Sequence, residues 1–244
     1  MTLEVLYEDN HCLAVNKPAG LPAQADESGD PSLVDAVTEY LRRRYRKPGN
    51  VYVGLLHRLD RPTSGVVLVA KTSKAASRLS AQFREGTIAK VYWAIVERAP
   101  REDEGEWVDW LGKDRRINRA RLVSEGDSEG KEARVSFRVR ERWGDRAWLE
   151  LRPGTGRSHQ LRVQLARRGF PILGDAKYGA TTQLAALDGR SRIALHARAM
   201  TFTHPTRREA IAVEAPVPAD WPELSPGHSA RRCGSNKPGA RSSP

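Results

Sequence analysis

The sequence predicts an α+β fold built on a largely antiparallel, mixed sheet flanked by a few helices. Three observations carry that expectation. Segments of strand length outnumber helical ones, strand candidates follow one another in adjacent pairs, and they do not alternate with helices as a doubly wound parallel sheet requires.

Taken in order, residues 3–17 read as two short strands about a turn at Asp9 and Asn10, followed by a Pro/Gly break in NKPAGL. Ser32 is placed to cap a helix with Asp35 in capping-box position; Leu33, Val37, Tyr40 and Leu41 form its apolar face, and Pro48-Gly49 ends it. The run VVLVA (66–70) has the continuous apolarity of a strand buried on both faces. Ser73 is expected to cap a second helix that buries Ala76, Leu79 and Phe83 and stops at Gly86. KVYWAIV (90–96) is another strand. Residues 100–133 are polar and Gly-containing, so an irregular excursion anchored by Trp107 and Trp110 is expected there. In RVSFRVRERW (134–143), Val135, Phe137 and Val139 alternate with Arg134, Arg138 and Arg140, and RAWLELR (146–152) is the natural partner strand. A third helix runs from about Ser158 to Arg168, and residues 193–215 supply a last strand pair joined near His204. No boundary-like linker interrupts residues 1–222, which are expected to form one domain; 223–244 read as a basic, disordered tail.

The 244 residues hold 41 Lys+Arg against 30 Asp+Glu, a net charge of +11. Residues 225–244 contribute +4, leaving +7 for the rest, so the excess is not a property of the tail alone. Arginine outnumbers lysine 32 to 9, which suits bidentate phosphate contacts, although genomic base composition produces the same bias. A polyanionic partner is expected. There is no apolar run long enough to span a bilayer and no signal-peptide pattern, which makes the cytoplasm the expected location. Two cysteines, Cys12 and Cys233, and scattered histidines offer no disulfide framework and no metal-ligand spacing, so neither a metal nor another cofactor is expected.

Two segments concentrate chemistry. HRLDRPTSG (57–65) crowds polar groups into a loop ahead of a buried strand, with Asp60 between Arg58 and Arg61. Neighbouring cations favour an ionised carboxylate, which can act as nucleophile or base. A loop whose aspartate only caps or salt-bridges would look the same. GTGRSHQLR (154–162) imitates a dinucleotide fingerprint, with Asp175 about twenty residues on, but His159 stands at the third glycine position. What survives is a helix start with Arg157, His159 and Arg162, suited to an anion. Tyr92, by itself, reads as a core tyrosine.

Together these segments resemble the RluA-like RNA pseudouridine synthases. HRLDRPTSG resembles that family's signature loop, NKPAGL its first motif, KVYWAIV its tyrosine-bearing strand, GTGRSHQLRVQLARRGFPILGDAKYG its third block and ALHARAMTFTHP its closing strand. The match runs in order from about Leu3 to Pro218. Gln164 departs from it, standing where a histidine is common, and no S4 RNA-binding module is recognisable ahead of Leu3.

The resemblance implies a pseudouridine-synthase-like fold with a central active-site cleft, acting as a monomer on structured RNA, tRNA or rRNA. It implies Asp60 as nucleophile, Arg162 as its ion-pair partner and Tyr92 stacking on the uracil and helping to remove the C5 proton. Arg58, Arg61, Thr63, Arg157, His159 and Leu161 would contact a flipped-out uridine or its flanking phosphates, and no cofactor would be needed. Two other readings stay open on the residues alone. One is an RNA-binding or RNA-chaperone protein. The other is a glycosidase using Asp60, for which no second carboxylate is recognisable.

Overall fold

The computed structural model describes residues 3–46, 48–114, 119–184, 189, 191–219 and 221–222. The basic segment 223–244, and with it Cys233, lies outside the described residues.

The alternation of buried residues in the first strands explains the layers. Strands β1 (Glu4–Glu8) and β2 (Cys12–Lys17) pair antiparallel, and β2 pairs with β4 (Ser64–Ala70), whose seven residues are all buried. Leu13, Val15, Val67 and Val69 point to one face, where helix α1 (Leu33–Arg44) lays Leu33, Val37 and Leu41 on them. Ala14, Val66 and Leu68 point to the other face, against Ala75 and Leu79 of helix α2 (Ser73–Glu85). A strand covered by a helix on each face has no solvent side, which is why VVLVA reads as unbroken apolarity.

Both helices start and stop for local reasons. Ser32 accepts the Asp35 N–H while Asp35 accepts the Ser32 N–H, a complete capping box. The helix ends at Arg44, ahead of Pro48-Gly49. The cap of α2 is Thr72, not Ser73: the Thr72 hydroxyl accepts Ala75 N–H at 3.2 Å, and Ser73 is the first helical residue. Gly86 closes α2 in the left-handed conformation, φ 71°.

The remaining strands are β3 (Gly54–Leu55), β5 (Ala89–Val96), β6 (Glu104–Asp114), β7 (Arg119–Val123), β8 (Lys131–Trp143), β9 (Arg146–Pro153), β10 (Leu195–Thr203) and β11 (Ala210–Glu214). They form one sheet in the order β1-β2-β4-β10-β5-β9-β8-β6-β7, with β3 also on β4 and β11 on β10. Among the described pairs only β4–β10 is parallel. Helix α3 (Gln160–Arg167) packs Leu161 and Leu165 on the core formed by β5, β8 and β9.

The stretch 100–133 is not irregular. It holds β6 and β7, and β6 pairs with β8 over eight registered residues, from Glu104↔Arg138 to Leu111↔Lys131. Its outer face is solvent-exposed and its inner face is covered only in part, by α3, so apolar residues are too sparse to show a period of two. Trp107 is the anchor expected, stacking on Phe137 at 4.2 Å; Trp110 is only half-buried.

Candidate active site

The loop 57–63 leads into β4 and is fastened on three sides. At its start, His57 Nε2 accepts the Leu68 N–H at 3.0 Å and the imidazole stacks on Phe83. Burial, with Lys90 nearby, pushes His57 down to about 3, so it serves as a neutral acceptor. From the side, the 16–21 segment grips the loop: Gly20 N–H and Lys17 Nζ both donate to the Arg61 carbonyl, at 2.8 and 3.2 Å. Lys17 is fully buried, donates also to the carbonyls of Pro18 and Leu21, and is pushed down to about 7 by that burial, against the pull of Asp60.

At its end, Gly65 has φ +116° and pairs with Ala197 across the parallel β4–β10 contact. A Cβ on Gly65 would lie 2.3 Å from the Ala197 carbonyl oxygen, so only glycine fits.

Held this way, Asp60 faces a small cavity of about 90 Å³ whose walls include Tyr92, Leu161, Arg162 and Leu195. Arg162 Nη1 donates to Asp60 Oδ2 at 2.9 Å. Its Nε and Nη2 donate to the two oxygens of Asp175, at 2.7 and 2.8 Å. Arg162 is 5% exposed and Asp175 1%, so the fork is rigidly aimed and water is excluded from it. Burial works against the Arg162 charge, but Asp175 and Asp60 outweigh it and raise its pKa above the ordinary value. Burial, and then the Asp60 charge, raise the Tyr92 phenol well above its usual range, so it is protonated at neutral pH.

These features sit in a chain whose residues 11–167 match the family model described as RNA pseudouridylate synthase. The chain belongs to that family. It is 38% identical over 235 residues to the ribosomal large subunit pseudouridine synthase D of Xylella fastidiosa, covering 91% of this chain and 68% of the relative. It is 36% identical to the synthase C of Escherichia coli O6:H1, covering 87% of this chain and 66% of that one. Among solved structures it resembles human RNA pseudouridylate synthase domain containing 4, with TM-score 0.73 and 25% identity over 88% of this chain and 89% of that chain. Domain containing 1 from the same group superposes with TM-score 0.67 at 30% identity, over 89% and 84% of the two chains. The protein is an RNA pseudouridine synthase, and the fold expected from the resemblance is the fold found.

The other expected site residues of the synthase are not all alike. Arg58 is exposed at the cleft mouth and engages no carboxylate among the described ion pairs. Thr63 is buried in the cleft wall, and its hydroxyl has no protein partner. Arg157 is exposed, with Nε donating to the Glu132 carbonyl at 2.8 Å. Leu161 forms apolar cleft wall at 7% exposure. Arg61 is different: Nε donates to the Gly20 carbonyl at 3.0 Å, Nη1 to Ser28 at 3.0 Å, and Nη2 pairs with Asp30. Those contacts make it a staple between two loops. His159 caps α3 in a left-handed conformation, φ 52°, and makes no capping bond.

Sequence reasoning missed three groups. Asp175 was visible only as a false ribose ligand; its signal was its place in the GDAKYG block. Lys90 lies two residues before Tyr92, hence on the same face of β5, and also lines the cleft. Burial, with Arg157 nearby, lowers its pKa. Lys17 carried no signal beyond its place in NKPAGL. Gln164, the departure, is fully buried and ties α3 to the sheet by donating to Asp109 at 2.7 Å and to the Ala133 carbonyl at 3.1 Å.

Among the described residues one grouping has metal-like proximity, Asp9, Cys12 and His204. The Asp9 and His204 donors are already committed. Asp9 accepts from Tyr7, from the N–H groups of His11 and Cys12, and from His204 Nε2. His204 Nδ1 accepts the N–H groups of Thr206 and Arg207. This is a clasp closing the β10–β11 connection, and burial pushes the Cys12 thiol up to about 12.

Proposed function

We propose that this synthase isomerises specific uridines of structured RNA, tRNA or rRNA, with Asp60 as nucleophile on a uridine flipped out of its helix. The observation that supports this best is the Asp175–Arg162–Asp60 chain, which aims one carboxylate into a cleft walled by Tyr92 and Leu161. In the reaction the N1–C1′ bond breaks, a C5–C1′ bond forms, and the C5 proton is lost while N1 gains one. Asp60 attacks C1′ of the ribose or C6 of the ring, and either route needs its carboxylate oxygen placed in the cleft.

Tyr92 stacks on the uracil. Its phenol, protonated at rest, also helps to remove the C5 proton, the role that the resemblance implies. Arg58 fills the space the flipped base vacates, and Lys90 and Arg157 hold flanking phosphates. Arg61 keeps the nucleophile loop in place. The fold acts as a monomer.

The test is pseudouridine mapping of tRNA and rRNA from a strain lacking the gene, complemented with wild type or Asp60→Asn. Wild type restores specific sites; the variant restores none, with turnover down at least about 10³-fold in vitro and RNA affinity kept. Full restoration by Asp60→Asn sinks the assignment.

A further inference from the structure

Tyr178 is buried beside the site and has no part in the steps above. Its hydroxyl lies 2.8 Å from His159 Nδ1, accepts the Ala120 N–H at 2.9 Å, and is 3.4 Å from the Ala120 carbonyl. A phenol has one proton to donate, and the shorter contact takes it to His159 Nδ1. His159 then carries its own proton on Nε2. That nitrogen faces Asp60 Oδ1 at 3.8 Å, while Arg162 holds Oδ2.

His159 is oriented for this contact at local cost. It sits at the helix cap, where a serine or aspartate would satisfy the helix, in a left-handed conformation uncommon for a non-glycine residue. Its side chain is given to Tyr178 and not to the helix. Burial lowers its pKa, with Arg162 and Lys177 in the same sense and Asp60 and Asp175 opposing, so the imidazole is neutral and its tautomer matters.

The far end of the chain of contacts lies in the β6–β7 hairpin. Ala120 is in β7, the last strand of the sheet order, and its N–H goes to Tyr178. The hairpin end carries exposed Lys113, Arg119 and Arg121, with the Arg119 guanidinium 4.9 Å from the Tyr178 ring. A polyanion seated on those cations would bear on the strand that positions Tyr178.

We propose that Tyr178 is a positioning residue that directs His159 Nε2–H at the second oxygen of Asp60, and that it makes this setting depend on the cation-bearing β6–β7 hairpin. The proposal rests on Asp60 being the nucleophile.

The experiment compares wild type, Tyr178→Phe, His159→Ala, the double variant and Ala120→Pro on an RNA fragment that wild type converts, with Asp60→Asn as control. Tyr178→Phe is expected to lower kcat about tenfold with KM within about twofold, and the double variant to be no slower than His159→Ala alone. Ala120→Pro removes the strand's donor from an edge position that tolerates proline, and is expected to reproduce the kcat loss with Tyr178 intact. Unchanged kcat in both Tyr178→Phe and Ala120→Pro overturns the proposal. So do additive losses in the double variant, or a loss confined to KM. Turnover by Asp60→Asn would instead remove the nucleophile reading itself.

Discussion

The two halves of the sheet solve the burial problem differently. Around β2 and β4 a helix covers each face, every residue of β4 is buried, and the loop carrying Asp60 is fastened to that block. The β8-β6-β7 half is covered on one side only, by α3, and its outer face is a ladder of ion pairs. Arg134 pairs with Glu106 and Glu132, Arg138 with Glu104, Arg140 and Arg152 with Glu150, and Arg142 with Asp103. The nucleophile therefore stands on the part covered on both faces, while Arg162 arrives from α3, which covers one face of the other part. Precision at the site comes from closing the two against each other through Arg162 and Asp175.

If the first half is the rigid anchor, the largest effect belongs to Gly65→Ala. The added Cβ would meet Ala197 backbone at 2.3–2.7 Å with a positive φ, and neither strand of a parallel contact can yield without moving the Asp60 loop. A loss of about 4 kcal/mol or more is expected, read as collapse of the denaturation midpoint. A folded variant with wild-type stability would show that the anchor is softer than its burial suggests.

Next is the joint between the halves. Asp175→Asn keeps the shape but leaves Arg162 buried with one charge partner fewer. A loss of about 3 kcal/mol is expected, with turnover down more than tenfold because Arg162 loses its aim. Equal stability with reduced turnover would make Asp175 a purely positional group.

What could be read in the sequence follows the same division. In the anchor half, β4, the capping box of α1 and the Gly86 stop were legible because burial on two faces and local capping write themselves into adjacent residues. In the other half the alternation of β8 was legible down to Val135 and Phe137, whereas β6 and β7, half-covered and charged, looked like loop. The site divided likewise. Asp60 and Arg162 were named in advance, but the partner that aims Arg162 was not, because Arg162 and Asp175 meet through a loop and no helical or strand period links them. Charge misled most at Arg61, where an arginine expected to contact RNA spends its donors on Gly20, Ser28 and Asp30.

A smaller effect tests the anchor through pH. His196 is fully buried on β10; its Nδ1 meets the Ser64 hydroxyl at 2.9 Å and its Nε2 the Ala215 carbonyl at 3.3 Å. Burial pushes it down to about 4, with the Ala215 bond opposing and Arg198 and Arg192 adding to the fall. Its contribution is complete above the unfolded value near 6.5 and is lost as pH falls toward about 4. Between pH 7.5 and 5.0 this group alone should remove about 2 kcal/mol, seen in urea midpoints at the two values. His196→Asn should start less stable at pH 7.5 and fall less steeply. An equal slope in both proteins would assign the acid sensitivity elsewhere.

The smallest effect is expected where the contrast between the halves is greatest. Arg138 and Glu104 pair at 2.8 Å across β8 and β6, yet their side chains are 60% and 64% exposed. Water screens such a pair, and holding two long side chains together costs entropy. Arg138→Ala should therefore shift stability by less than about 0.5 kcal/mol, and the coupling in a double-mutant cycle with Glu104→Ala should be no larger. If the ladder instead acts as one network, the coupling would exceed about 1 kcal/mol and shrink with added salt. That outcome would make the outer face a second source of rigidity, and the division between a fixed anchor and a yielding ribbon would have to be redrawn around Glu150, where two arginines converge on one buried carboxylate.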